Sequence, residues 1–374
     1  MGGVWAKELN PGKRILMGPG PSNVPPRVLK AMTTPLVGYL DPYLFEVMDD
    51  VCRMLRLVFQ TKNRVTIPIS GTGTAGMEAS FANFVEPGDT VIIGVNGYFS
   101  NRMVEMAYRL GAEVIRVEAE WGRIVEPERL VRALKDNPEA KILAIVHAET
   151  STGVEEPLAE LGEACAETGA LFLVDAVTSL GGMEVKVDEW KIDVCYSATQ
   201  KCLGAPPGLA PLTVSEKAMH VLQSRKTKVS SWYLDLDLLM RYWGNDRVYH
   251  HTTPVTMLYA LYEALRMVLE EGLEARFERH RALARILSQR LMTLGFTYFS
   301  QEGYHLPTLH ATLPPKGMDV ELGRKRLLQE YNIEVGGGLG LAKGKIWRIG
   351  LMGESATREN VEYLSAALDD LLKG

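Results

Sequence analysis

Short apolar segments alternate with amphipathic ones along the first two thirds of the chain. The apolar segments are rich in Val, Ile and Leu, which is typical of strands that are buried on both faces of a sheet. The amphipathic segments place apolar residues three or four positions apart, which predicts helices. The predicted strands are residues 65–70, 90–95, 113–117, 141–147, 171–175, 194–197 and 209–213. This order predicts an α/β fold with a mainly parallel sheet of the seven-stranded type, sandwiched by helices.

Helical spacing is clearest in a segment from residue 42 to 60, and helices are also predicted after residue 26 and over 77–85, 100–110, 127–135 and 157–168. Pro68 lies inside the first predicted strand. Because proline cannot donate a hydrogen bond to a neighbouring strand, we expect that strand to lie at an edge of the sheet or to end there.

The pattern changes near residue 254, where long helical segments replace the alternation. Helices are predicted over 256–271, from there to 294, and over 320–331 and 358–372, with short strands between them. The glycine run 336–340 is interpreted as a hinge or turn. We therefore predict an N-terminal arm (1–20), a large domain (21–271) and a smaller C-terminal α+β domain (272–374).

Composition excludes several classes of function. The chain of 374 residues is 46% hydrophobic and 23% charged, with a net charge of −5, which argues against general binding to nucleic acid or to anionic membranes. No apolar run approaches the ~20 residues that span a bilayer. The four cysteines have no zinc spacing, and no secretion signal is visible, so a cytoplasmic protein is expected.

Lys201 lies in a polar run, 197–201, between an apolar strand and the Gly/Pro bend 203–208. Asp175 ends the predicted strand 171–175, at the sheet edge where α/β proteins bind ligands. A buried aspartate needs a cationic partner, and a reactive lysine needs a site that holds it. A pyridinium ring between the two side chains would serve both, although Asp175 could instead cap a helix.

A phosphate site is predicted at residues 71–75, because a Gly/Thr turn between a strand and a helix presents backbone N–H groups and hydroxyls. A plain turn with a threonine cap is the alternative. The Pro/Gly-rich segment 10–26 is either a linker or an ordered loop whose backbone approaches a ligand.

Three further polar groups are candidates from the sequence. His147 ends a predicted strand and is followed by a hydroxyl-rich loop, 150–152, which is why it is a candidate. It could equally be a core histidine. The adjacent His250 and His251 are poorly spaced for a metal, so no metal is expected. Arg348 lies within an apolar strand, where it would bind a substrate carboxylate or form a structural salt bridge.

Together these segments resemble the class V aminotransferases, which are fold-type I pyridoxal-phosphate enzymes, and specifically those of the alanine–glyoxylate/serine–pyruvate type. The likeness extends over almost the whole chain and includes residues 18–23 (GPGPSN), 58–61 (VFQT), 86–89 (EPGD), 149–153 (ETSTG), 197–201 (SATQK), 205–208 (APPG), 224–228 (SRKTK), 249–252 (YHHT) and 348–353 (RIGLMG).

The resemblance implies pyridoxal 5'-phosphate as cofactor and assigns roles to individual residues. Lys201 is expected to form the Schiff base, and Asp175 to pair with the pyridinium nitrogen. Val177 and Phe99 are expected on the two faces of the ring. The remaining implied cofactor contacts are Thr72, Gly73, Thr74, Thr150 and Gln200, with Tyr249 and Thr252 reaching the phosphate of a neighbouring subunit. The implied substrate contacts are Arg348, Thr150 and Gly20.

The resemblance further implies a homodimer with shared active sites that transaminates a small amino acid (alanine or serine) with a small 2-oxo acid (glyoxylate or pyruvate) in ping-pong fashion. Phe99 stands where the family usually has Trp, Thr74 where some relatives have His, and Thr150 where they have Ser. These departures leave the chemistry in place but could alter amino-acid preference.

Several alternatives remain open at this stage. The same fold serves aminotransferases for aminophosphonates, pyridoxamine or 3-hydroxykynurenine, and it could serve as a non-catalytic scaffold. A cysteine desulfurase would need a reactive cysteine on a loop of the small domain, but all four cysteines precede residue 203.

Overall fold

A computed structural model describes residues 8–373 of the chain. The predicted N-terminal arm therefore lies partly outside the described residues, at 1–7. The helices within the described residues are α1 (Pro26–Ala31), α2 (Pro42–Val58), α3 (Gly73–Phe84), α4 (Tyr98–Arg109), α5 (Pro127–Asp136), α6 (Ala159–Thr168), α7 (Glu216–Gln223), α8 (Leu236–Trp243), α9 (Val255–Glu271), α10 (Leu273–Thr293), α11 (Val320–Tyr331) and α12 (Arg358–Lys373).

The strands are short and mostly buried. They are β1 (Ile15–Leu16), β2 (Val65–Ser70), β3 (Thr90–Val95), β4 (Glu113–Glu118), β5 (Ile142–Val146), β6 (Ala148–Glu149), β7 (Val154–Glu155), β8 (Leu171–Asp175), β9 (Val194–Tyr196), β10 (Leu209–Val214), β11 (Thr297–Tyr298), β12 (Leu309–Leu313), β13 (Ile333–Glu334), β14 (Gly336–Gly337) and β15 (Trp347–Gly350).

Seven strands form the main sheet, in the order β2-β10-β9-β8-β5-β3-β4. Neighbours from β9 to β4 pair in parallel, whereas β10 runs antiparallel to both β9 and β2. The predicted α/β class with a mainly parallel sheet is therefore confirmed. β2 forms one edge, as the proline at position 68 indicated. Because β3, β5, β8 and β9 are parallel, their carboxyl ends meet at one edge of the sheet.

A smaller antiparallel sheet, β11-β12-β15-β14, lies in the C-terminal part of the chain. β1 pairs in parallel with β13 and so connects the N-terminal segment to this part. The interpretation of 336–340 as a hinge was wrong for its first residues, because Gly336 and Gly337 form β14 and pair with Arg348 and Trp347.

Some boundaries differ from prediction for clear physical reasons. The helix predicted to begin at residue 77 begins at Gly73 as α3, because Thr72 is extended and takes the N-cap position. The stretch 214–253, which periodicity left unassigned, contains α7 and α8. Both helices are short, at eight residues each, so their apolar spacing is hard to detect in sequence.

Two large apolar clusters fill the interior. The first extends from Leu44 to Val268, and the second takes Met17 together with residues from Leu283 to Leu371. Between them, Gly272 ends α9 with a φ of +83°, a left-handed conformation that glycine adopts without strain. The domain boundaries at residues 20 and 271 stay predictions.

Within residues 8–373, no helix combines the length and the apolar character that crossing a bilayer requires.

Candidate active site

A cavity of about 190 Å³ lies at the carboxyl ends of β5 and β8, next to the N-terminus of α3. Nine of the predicted site residues line it: Thr72, Gly73, Thr74, Phe99, Thr150, Asp175, Val177, Gln200 and Lys201. The structure therefore brings together most of the predicted residues, although they come from separate segments of the sequence. Gly20, Arg348, Tyr249 and Thr252 are not among the lining residues.

Asp175 is buried at the end of β8, and both of its carboxylate oxygens have partners. Oδ1 accepts a hydrogen bond from the Val177 backbone N–H at 2.8 Å, and Oδ2 accepts one from the Tyr196 hydroxyl at 2.7 Å. Burial raises the pKa of Asp175 to about 6, although these two hydrogen bonds act in the opposite direction. No helix follows Asp175, so the alternative of a helix cap was wrong.

Lys201 projects into the same cavity, and its Nζ donates a hydrogen bond to the Pro19 carbonyl. Burial lowers the pKa of Lys201 to about 8, and the positive charge of Arg348 acts in the same direction. A Cβ at Gly20 would lie 2.5 Å from Lys201 Nζ, and the φ of +106° at this position favours glycine. Segment 10–26 therefore contains an ordered loop that contacts the site, and the linker interpretation was wrong for residues 19–20.

The turn at the start of α3 forms a cup of donors. Thr72 occupies the N-cap position, but its side chain makes no capping hydrogen bond, so its hydroxyl can bind a ligand. A Cβ at Gly73 would lie 2.9 Å from the Cβ of Ala198, which explains why glycine occupies this position. The side-chain Oε1 of Gln200 is buried and lacks a hydrogen-bond partner within the described part of the chain. A buried polar atom that lies in a cavity wall without a hydrogen-bond partner indicates a missing ligand.

Phe99 is held in the cavity wall by a buried carboxylate that sequence reasoning missed. Glu149 Oε2 accepts hydrogen bonds from the backbone N–H groups of Phe99 and Ser100, at 3.1 and 3.0 Å. Its Oε1 accepts another from the Ser151 hydroxyl at 2.6 Å. Glu149 thus satisfies N–H groups in the first turn of α4 and fixes where that helix presents Phe99.

Arg348 is buried behind the cavity rather than in its lining. Its Nε donates to the Gly337 carbonyl at 2.7 Å, and its Nη1 lies 3.4 Å from the Thr150 carbonyl. Among residues 8–373 it forms no ion pair, so the alternative of a structural salt bridge was wrong. Burial lowers its pKa to about 10, although the negative charge of Glu149 acts in the opposite direction. A buried arginine with no carboxylate at ion-pair distance is costly, which favours a ligand as its partner.

Two arginines connect the turn after Lys201 with the loop after Arg348. Arg276 donates to the Cys202 carbonyl at 2.6 Å, and Arg279 donates to the Ala356 carbonyl at 2.6 Å. Both also bond the carboxylate of Glu271 at the end of α9. This network fixes the distance between the lysine and the arginine of the site.

Tyr249 and Thr252 lie outside the cavity of their own chain, with the Tyr249 hydroxyl 3.2 Å from Thr252 Oγ1. Tyr249 is 48% exposed. Their predicted role toward a neighbouring subunit stays a prediction.

The candidate histidines have other partners. His147 is buried edge-on against Trp190, and burial lowers its pKa to about 4. His250 and His251 bond each other, and His251 also bonds Ser70.

Three residues at the site were assigned no role from the sequence: Tyr196, Glu149 and Arg102. Tyr196 precedes the run 197–201 and belongs to an apolar strand, so its pattern is that of a core residue. Arg102 lies on α4 one turn after Phe99 and lines the cavity, although it looks like an ordinary surface arginine in the sequence.

Comparison with known proteins decides the family. The family model described as aminotransferase class-V matches residues 15–364. The chain belongs to the class V aminotransferase family. It is 44% identical to the (S)-ureidoglycine–glyoxylate transaminase of Bacillus subtilis, over 98% of this chain and 92% of that protein. It is 40% identical to the alanine–glyoxylate aminotransferase of Drosophila melanogaster, over 99% of this chain and 95% of that protein.

Comparison with a solved structure gives the same result. The fold of this chain is similar to that of an alanine–glyoxylate aminotransferase from Nostoc sp., with a TM-score of 0.96. The two chains are 50% identical, and the match covers 99% of this chain and 98% of that one. Family membership makes the protein an aminotransferase that depends on pyridoxal 5'-phosphate, as the sequence resemblance implied.

We expect Glu149→Ala to destabilise the protein, because it leaves backbone N–H groups of α4 buried without an acceptor. The free energy of unfolding should fall by about 2–4 kcal/mol, measured by urea denaturation of the cofactor-free protein. The matched control is Glu105→Ala on the exposed face of the same helix, which should change it by less than about 1 kcal/mol. Equal effects of the two substitutions would contradict the role of Glu149.

The shifted pKa of Lys201 predicts a pH dependence. In the cofactor-free protein, the reactivity of the Lys201 amine should rise with pH around a midpoint near 8, because only the neutral amine reacts. Arg348→Gln removes a positive charge that disfavours the protonated amine, so the midpoint should move to higher pH. The measurement is the rate of Lys201 modification by an amine reagent, followed by mass spectrometry.

Arg358→Gln is the control for this experiment, because that arginine is exposed and paired with Glu362. It should leave the midpoint unchanged. A midpoint that stays the same or falls in Arg348→Gln would show that the arginine does not act on the lysine.

Proposed function

We propose that the protein transfers the amino group of a small neutral amino acid, alanine or serine, to a small 2-oxo acid, with glyoxylate as the main acceptor and pyruvate as the other. The observation that carries this proposal is the meeting of Asp175 and Lys201 in one cavity, with Arg348 buried behind it. The names of the relatives support glyoxylate, because the enzymes from Bacillus subtilis, Drosophila melanogaster and Nostoc sp. are all named for glyoxylate.

The lining residues fit pyridoxal phosphate. Its phosphate would be held by the N-terminus of α3, the hydroxyls of Thr72 and Thr74, and the side-chain N–H groups of Gln200, which can donate to it. The absence of a Cβ at Gly73 lets this turn pack closely against Ala198 and Val177. Its ring would be held between the side chains of Phe99 and Val177, with Asp175 at the ring nitrogen.

When bound, the cofactor supplies an electron-withdrawing ring that stabilises negative charge at the substrate's α-carbon. Asp175 keeps a negative charge beside the ring nitrogen. The Nζ of Lys201 takes the proton from the α-carbon, because its lowered pKa leaves much of the amine neutral near pH 8. Arg348 orients the substrate carboxylate, and Thr150 and Gly20 border the space for the side chain. Phe99 keeps water from the reacting atoms.

The charge of the site favours neutral donors. The charged lining of the cavity consists of Arg102, Asp175 and Lys201. Arg102 bonds Thr74 at the phosphate end, so Arg348 is the cation available to the substrate. An amino acid with a second carboxylate would therefore lack a second cation. (S)-ureidoglycine is a second candidate donor, supported by the 44% identity with the Bacillus subtilis transaminase.

The alternatives receive less support. The four cysteines are buried, and burial raises the pKa of each thiol, which argues against a desulfurase nucleophile. The full set of Lys201, Asp175 and Arg348 argues against a scaffold without turnover. The relatives named above also disfavour the aminophosphonate, pyridoxamine and 3-hydroxykynurenine activities. The cytoplasmic location stays a prediction from the sequence.

We also propose a homodimer in which each active site takes Tyr249 and Thr252 from the partner subunit. An exposed aromatic surface supports this: the ring of Tyr249 lies 4.6 Å from that of Tyr39, and Trp232, 62% exposed, stacks on His250. Large exposed aromatic groups in contact with one another are typical of subunit interfaces. His251 connects this surface to Ser70, just before the phosphate turn.

Half-reactions test the proposed activity. Alanine, serine and (S)-ureidoglycine are each mixed alone with the purified holoenzyme. Each should reduce the visible absorbance of the bound cofactor, and the rates rank the three donors. Glyoxylate and pyruvate should then restore it, because each half-reaction is complete in itself in a ping-pong enzyme. Glutamate and aspartate should react at least about 10-fold more slowly, since a second carboxylate would stay unpaired.

Lys201→Ala is the variant that tests the assigned lysine. It should lose at least about 1,000-fold in rate, because no other side chain would move the α-proton. Borohydride should fix the cofactor to Lys201 in the wild-type protein. Turnover at the normal rate in Lys201→Ala, or fixation at another residue, would refute the proposal.

Mixed dimers test the shared site. Tyr249→Phe alone should weaken cofactor binding by about 10-fold through loss of one hydrogen bond. A dimer of one Tyr249→Phe chain and one Lys201→Ala chain has Lys201 and the partner's intact Tyr249 around the same site, so half of its sites should bind cofactor normally. A dimer whose sites all stay weak, or an active monomer in light scattering, would contradict this arrangement.

A further inference from the structure

Arg102 occupies a place in the cavity that neither the resemblance nor the reaction assigns. It lies on α4 three residues after Phe99, so the two side chains share one face of the helix. Its Nη1 donates a hydrogen bond to Thr74 Oγ1 at 2.9 Å. Its guanidinium carbon is 5.0 Å from the ring centre of Phe99 and 5.5 Å from that of Tyr98. These contacts hold the guanidinium group between the aromatic wall and the phosphate turn.

The charge of Arg102 is not matched by the protein. Within residues 8–373, no carboxylate lies within ion-pair distance of it, whereas other arginines of the same region do have partners: Arg109 pairs with Glu105, and Arg116 pairs with Glu118. Tyr98 and Phe99 offer the faces of their rings, which attract a cation but do not neutralise it. Arg102 therefore brings a full positive charge to the cavity wall.

The phosphate turn, by contrast, offers mostly neutral donors. Thr72, Thr74, Gln200 and the first N–H groups of α3 are all uncharged. A phosphate ester carries about −1.5 to −2 charges at neutral pH, and charge-assisted hydrogen bonds from arginine are about twice as strong as neutral ones. Lys201 is engaged elsewhere, because its Nζ bonds the Pro19 carbonyl.

We propose that Arg102, held by Thr74 and the rings of Tyr98 and Phe99, is the cation that binds the phosphate group of the cofactor. This inference rests on the proposed function. It gives Thr74 a definite role, because the threonine hydroxyl orients the guanidinium group as well as facing the phosphate. The same guanidinium group contacts Phe99, the side chain expected to pack on the cofactor ring. Arg102 therefore couples the binding of the phosphate group to the position of the ring.

The test compares ligands with and without a phosphate group. Cofactor-free wild-type protein, Arg102→Gln and Arg102→Lys are titrated with pyridoxal 5'-phosphate, pyridoxal and inorganic phosphate by calorimetry. Arg102→Gln should weaken binding of pyridoxal 5'-phosphate and of inorganic phosphate by about 10- to 100-fold, the usual range for a hydrogen bond to a charged group. Pyridoxal should bind within about 2-fold of wild type, because it lacks the phosphate group.

Arg102→Lys keeps the charge but loses the planar fork, so its affinity should lie between the other two. Arg109→Gln is the matched control on the same helix and should change no affinity by more than about 2-fold. In the wild type, rising salt should weaken phosphate binding more steeply than in Arg102→Gln. The lysine variant keeps the test decisive if Arg102→Gln folds poorly.

Two results would overturn the proposal. Equal weakening of pyridoxal and pyridoxal 5'-phosphate would show that Arg102 only supports the aromatic wall. Unchanged phosphate affinity together with a changed preference for dicarboxylic substrates would place Arg102 in the substrate site. If the wild-type protein failed to bind pyridoxal 5'-phosphate at all, the proposed function would fall with it; normal binding on Lys201 with no effect of Arg102 would overturn this inference alone.

Discussion

Burial of two opposite charges around one cavity is the constraint on which the site depends. Burial raises the pKa of Asp175 to about 6 and lowers that of Lys201 to about 8. When folding raises the pKa of an acid, the free energy of unfolding decreases as pH rises from the ordinary pKa to the raised one. When folding lowers the pKa of an amine, the free energy of unfolding decreases as pH falls from the ordinary pKa to the lowered one. Near neutral pH both groups therefore weaken the cofactor-free protein, and a positively charged ring nitrogen beside Asp175 would relieve the cost of the buried carboxylate.

The rest of the structure holds these two groups in place. Tyr196 and the Val177 backbone fix the carboxylate, and the Pro19 carbonyl fixes the amine. Glu149 acts in the same way farther from the ring site, where its carboxylate closes the first turn of α4. The network of Glu271, Arg276 and Arg279 then connects the segment after Lys201 with the segment after Arg348. Each of these groups acts on the chemistry through another residue.

Much of this could be predicted from the sequence, and the rest could not, for a physical reason. β3 and β8 are continuous buried runs, so both were predicted to the residue, and Asp175 stood out because it ends such a run. Local spacing says nothing about which side chains meet across the fold. Tyr196 and Glu149 act through contacts with residues 21 and 50 positions away. The start of α3 was misplaced because glycines at a helix N-terminus look like a turn.

The pairing of β1 with β13 has a consequence for the synthesis of the protein on the ribosome. The residues that follow β1 supply the carbonyl that binds the Lys201 amine, and β1 itself is anchored on a strand more than 100 residues beyond that lysine. Contacts so distant along the chain form late in folding, because a long loop must close first. The nascent chain can form most of its main sheet as it emerges, but its lysine pocket closes only when the C-terminal strands have been translated.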